Sequence, residues 1–134
     1  MFYKVYISKV NKNVTVIANG LYNNKDVEEL VLTVLTQEDY NPHYEILVDL
    51  REIKYVSSVF DMFSVSSSFT EMRQYFKGKI GIVVKNGFIY RTFRLASHFN
   101  IKNGIAVNIF NDFDKAIVWL SDRRKERRSN ELIG

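Results

Sequence analysis

The chain has 134 residues, one proline and no cysteine, with 19 basic and 15 acidic residues for a net charge of +4. Lack of cysteine excludes a disulfide scaffold, a thiolate metal site, a thiol nucleophile and a redox centre. A composition 46% hydrophobic and 14% aromatic is too apolar for a disordered chain, and the length suits one domain around one core. The excess charge is local. The stretch from Asp122 to Glu131 holds Arg123, Arg124, Lys125, Arg127 and Arg128, leaving 14 basic and 12 acidic residues elsewhere. A nucleic-acid binder shows a broader basic stripe. Lys4 and Lys9 interrupt the apolar residues at the start, so no signal peptide is expected there. No apolar run, Ile80-Gly-Ile-Val-Val included, is long enough to span a bilayer. A cytoplasmic protein without a membrane span is the expectation.

Residues 2–9 alternate, with Tyr3, Val5 and Ile7 on one side and Phe2, Lys4, Tyr6 and Ser8 on the other. Residues 13–19 are β-branched and partly alternating, and Asn11-Lys12-Asn13 between them predicts an antiparallel hairpin. The period then changes. Val27, Leu30, Val31, Val34 and Leu35 recur as one face of a helix, with Asp26 and Glu29 spaced as a capping box and Pro42 beyond the end. Ile46-Leu-Val, Ile80–Val84 and Ile105–Phe110 read as buried strands. Between them, 58–76 and 88–99 carry helical apolar stripes, although Ser64-Val-Ser-Ser-Ser is a poor helix former. A last helix from about Asp112 buries Phe113, Ala116, Ile117 and Leu120, and 122–134 is read as its basic, frayed end. The order β-β-α-β-α-β-α-β-α predicts a single α/β domain, residues 1–134, whose sheet is parallel apart from the opening hairpin strand. No repeat, linker or low-complexity tract divides it.

Three features resemble one family: this element order, the Asp49-Leu50-Arg51 placed at the close of the third strand, and the ending Phe110-Asn-Asp-Phe-Asp-Lys-Ala116-Ile-Val-Trp119-Leu120. Together they are similar to the SpoIIAA-like superfamily, which holds STAS domains and small bacterial STAS/Sec14-like proteins. The resemblance implies a mixed sheet wound as a βα superhelix, with helices mostly on one face. In the family's anti-sigma-factor antagonists, the loop after the third strand reads Asp-Ser-Ser-Gly, and a partner kinase phosphorylates its first serine. Ser58 falls on that serine. Ser57 stands where the family has Asp, and Val59 and Phe60 follow where Ser and Gly are expected, so the phosphoserine loop is degenerate.

In open α/β sheets, ligands sit beyond the carboxyl ends of the strands. A crevice there would hold Asp49, Arg51, Asp61, Lys85 and Asn86, beside Ser57 and Ser58 as loop site or phosphoacceptor. It would suit a small anion or a partner's acidic side chain. Alternatively, Ser57 or Ser58 caps a helix and Arg51 pairs with Asp49 or Glu52. On 88–99, Tyr90, Arg91, Arg94 and His98 share an arc that, with Phe60, makes either an interaction face or an ordinary solvated one. Phe60, Phe63, Phe69, Tyr75 and Phe76 crowd the 58–76 stretch as core, homodimer contact or the wall of an apolar pocket.

His43 and His98 lie far apart, and neither a metal-ligand spacing nor a phosphate loop nor a Gly-x-Ser-x-Gly elbow is present. No metal, cofactor or catalytic residue is expected. The chain reads as a non-enzymatic regulatory or protein-interaction domain. Its partner would be a protein, with a second copy among the candidates, and not nucleic acid. The alternative is a small-molecule or lipid carrier with an apolar pocket near 58–76.

Overall fold

A computed structural model describes residues 1–21, 24–54, 73–85, 87, 90–91, 94–95 and 106–122. The elements are β1 (Phe2–Ser8), β2 (Asn13–Leu21), α1 (Asn24–Leu35), β3 (Glu45–Lys54), a 3-10 turn (Arg73–Tyr75), β4 (Ile80–Val83), β5 (Val107–Phe110) and α2 (Phe113–Ser121). The strands form one sheet in chain order, β1-β2-β3-β4-β5. β1 runs antiparallel to β2, and every later pair is parallel. Among the described residues no helix is long and apolar enough to cross a membrane.

The opening hairpin follows from its sequence. Phe2 through Ser8 pair without interruption with Asn19 through Asn13. Lys12 closes the turn at φ 54°, a left-handed conformation that costs a side chain about 1–2 kcal/mol. The alternation sends Tyr3, Val5 and Ile7 onto the core and leaves Phe2 and Tyr6 exposed.

Strand alternation then builds two cores. On one face, Val14, Val16, Ile46, Ile80, Val84, Val107 and Ile109 meet Leu30, Val31 and Val34 of α1, with Phe76 and the half-buried Tyr90. Fully burying each such aliphatic side chain is worth about 1.5–3 kcal/mol. On the other face, Leu47 and Val83 meet Ala116 and Leu120 of α2, flanked by Phe110, Phe113 and Trp119. Gly81 lets Leu120 sit on β4, since a Cβ there would already touch its side chain at 3.4 Å.

Four expectations change. The third strand does not close at Arg51 but continues to Lys54, because Asn19, Gly20 and Leu21 of β2 pair with Glu52, Ile53 and Lys54. Helix α1 begins before Asp26, which is therefore a first-turn acid and not a cap; its carboxylate lies 2.9 Å from the Met1 amino group. Ile117 is 42% exposed, because it lies about 100° around the helix from Ala116 and faces away from β4. At Arg73–Tyr75 the chain makes a 3-10 turn and leaves Phe76, buried in the core, outside it. Pro42 does lie past the end of α1. Its carbonyl accepts the N–H groups of Lys77 and Gly78, which ties that turn to the segment before β3.

Candidate functional site

Between Ile17 and Asn19 the β2–β3 register shifts, from Ile17 opposite Asp49 to Asn19 opposite Glu52. Leu50 and Arg51 therefore oppose the single residue Ala18, which is a β-bulge in β3. The extra residue breaks the alternation: Asp49 and Ile53 are buried, while Arg51 and Glu52 between them are exposed. A bulge thus directs a charged side chain outward toward the carboxyl end of the sheet.

Asp49 is the buried charged residue of the described core, and burial of an unpaired carboxylate would be costly. Arg51 satisfies it. Arg51 Nε donates to Asp49 Oδ1 at 2.9 Å, Nη2 donates to Oδ2 at 2.8 Å, and the Arg51 backbone N–H donates to Oδ1 at 3.1 Å. This bidentate fork is the strong geometry for the pair. The hydrogen bonds from Arg51 hold the Asp49 carboxyl below its usual range, against the opposing effect of burial. Asp49 in turn raises the pKa of Arg51, with smaller help from Glu52 and Asp114.

The guanidinium also lies 5.0 Å from the ring centroid of Phe113, the first residue of α2, within cation–π range. Just before that ring, Asp112 caps α2 by accepting the backbone N–H groups of Asp114 at 2.9 Å and Lys115 at 3.2 Å. Arg51 is thus held by a carboxylate and an aromatic face while its side chain remains 46% exposed. Lys85 is exposed just beyond β4, two positions past Val83, the β4 partner of Asp49.

The structure therefore brings Asp49 and Arg51 together and places Lys85 at the same end of the sheet. Phe113 belongs to this site although its sequence pattern marked it only as core. No short-range pattern links it to Arg51, because the contact depends on where α2 returns across the sheet. Ser57, Ser58, Phe60, Asp61, Asn86 and His98 lie outside the described residues, as does the basic run 123–128. Of the second candidate face, Tyr90, Arg91 and Arg94 are helical. Arg94 Nη1 donates to the Tyr90 hydroxyl at 3.0 Å and its guanidinium lies 5.6 Å from that ring, while Tyr90 packs on the core and Arg91 is exposed. No group of three or more potential metal ligands occurs among the described residues.

The structure of an uncharacterized protein of the DUF3478 family from Shewanella loihica PV-4, described as having a SpoIIAA-like fold, is similar to this chain. The TM-score is 0.57 at 18% identity, over 89% of this chain and 92% of that one. No family model matches the sequence, and no curated protein matches it. The likeness is one of fold: this is a mixed α/β domain of the SpoIIAA-like type.

Proposed function

Starting from the SpoIIAA-like fold, we propose that this protein is a non-enzymatic regulatory domain that binds a protein partner at the carboxyl end of its sheet. The observation that supports this is the preset Arg51. Asp49 and the Phe113 ring fix its guanidinium on a bulge while leaving it accessible, so little side-chain entropy is lost when an acidic partner group docks. Lys85 adds a second positive charge at that end. In this reading a phosphate on Ser58, in the stretch that follows β3 in sequence, would compete with the partner's acidic group for the cationic site.

The test begins with a partner captured on the wild-type chain, purified and titrated against variants. Arg51→Lys keeps the charge but loses the fork, and a Kd raised about tenfold, roughly 1.4 kcal/mol, is expected. An unchanged Kd for Arg51→Lys and for Lys85→Ala removes the crevice from the interface. Labelling of the loop by no kinase, together with unchanged binding by Ser58→Ala, ends the phosphorylation version. The alternative, a small-molecule or lipid carrier, concerns the aromatics of 58–76, of which the structure describes Tyr75, exposed, and Phe76, buried in the main core.

A further inference from the structure

The first strand offers a second surface. Among the described residues β1 pairs with β2 alone, so its outer edge carries a row of backbone donors and acceptors over seven residues. Folded proteins blunt such edges with proline, a bulge, a short strand or charge. β1 has no proline, its pairing with β2 has no bulge, and its one charged residue is Lys4. Its outward face is apolar around that lysine. Phe2 is 78% exposed and Tyr6 52%, and Ile17, directly across from Lys4 on β2, is 44% exposed. Ile17 stands diagonal to both rings, within reach of each.

We infer that this edge pairs with β1 of a second copy, antiparallel about a two-fold axis at Val5, to give a continuous ten-stranded sheet. The strand's own chemistry selects the register. An offset by an odd number of residues would set the core side of one copy against the solvent side of the other. A dyad at Lys4 would place two ammonium groups directly opposite each other, which is repulsive. A dyad at Val5 avoids both. Val5 then faces Val5 of the second copy, and Tyr3 faces Ile7, on the core side. On the outer side Lys4 faces Tyr6, a cation–π pair made twice, and Phe2 faces Ser8. Lys4 thus disfavours one register of self-pairing and suits its neighbour. The contact is isologous and closes after two copies.

Sedimentation velocity of the full chain over a range of concentrations should show a species of about twice 15.7 kDa. The double variant Lys4→Glu/Tyr6→Glu, which sets carboxylates against carboxylates, should halve that mass with unchanged circular dichroism. Tyr6→Glu alone leaves each new carboxylate facing Lys4 and should remain dimeric. Because the chain has no cysteine, single cysteine substitutions report the register directly. A mixture of Lys4→Cys and Tyr6→Cys should form a disulfide-linked dimer under mild oxidation, since facing strand positions lie within disulfide range, and neither variant should do so alone. A wild-type monomer at every concentration overturns the proposal. So does a dimer that survives the double substitution, or one in which Lys4→Cys crosslinks to itself.

Discussion

The two faces of the sheet are held in different ways. The face under α1 is sealed by a broad apolar cluster drawn from β2 through β5 and the helix, with β1 packed at its margin. On the face under α2 the buried core among the described residues is Leu47, Val83, Ala116 and Leu120, and cationic side chains fasten the helix at both ends. Arg51 stacks on Phe113 at its start. At its finish Lys79 Nζ donates to the carbonyls of Trp119 at 3.2 Å and Asp122 at 2.7 Å, and lies 5.4 Å from the Trp119 ring centroid. A cation at a helix carboxyl end is favoured by the dipole and by the unpaired carbonyls there. The comparison teaches that one face acts as scaffold. The other, among the described residues, is a charge-tethered surface that carries the candidate site and leaves Phe2, Tyr6 and Ile17 of β1–β2 exposed.

Truncations in the two cores should separate them most widely. Ile109→Ala on the α1 face should cost about 3–4 kcal/mol in global stability by denaturant unfolding. Leu120→Ala should cost less, about 2–3 kcal/mol, and act locally: amide exchange should speed up in α2 before it does in β3 and β4. Equal global losses, with exchange rising everywhere together, would erase the distinction between the faces.

The tethers come next. Lys79→Ala should cost about 1–2 kcal/mol through two charge-assisted hydrogen bonds. Asp112→Ala should cost about 1 kcal/mol through the lost cap. Both losses should appear as faster exchange confined to α2, whereas an effect on α1 amides would contradict the separation.

The smallest effect is on pH dependence. Arg51 lowers the Asp49 pKa below its usual 3.8, so the folded state binds this proton less readily than the unfolded one. The stabilisation is complete above about pH 4 and is lost as the pH falls through the lower folded value. Stability curves recorded through the acid range should show this loss. In Arg51→Ala the side-chain hydrogen bonds and the positive charge are lost, leaving the residue-51 backbone N–H against burial, so the acid-range loss attributable to Asp49 should shrink. An identical acid profile for the variant would detach Asp49 from Arg51.

Periodicity carries the sequence a long way here. The β1–β2 hairpin, the face of α1, the strands β4 and β5 and the Asp112 start of α2 are all legible, because one side of each segment must be apolar. The tail of β3 is not: Arg51 and Glu52 end the apolar run, and it is β2 that holds this stretch in the sheet. Ile117 misleads because an apolar residue at the margin of a helical stripe can be either covered or bare. The Asp49–Arg51 pair was visible as local charge spacing. Phe113 under Arg51 and Lys79 against Trp119 were not, since both contacts join residues far apart in sequence and depend on the path of α2.

The most direct test of the central claim, that the α2 face docks the partner through Arg51, is the partner's affinity for Arg51→Lys measured beside the wild type at matched folded fraction. The account predicts about a tenfold weaker Kd, with partner-induced amide protection at β3, Lys85 and the start of α2. An unchanged Kd, with protection confined to the α1 face, would contradict it.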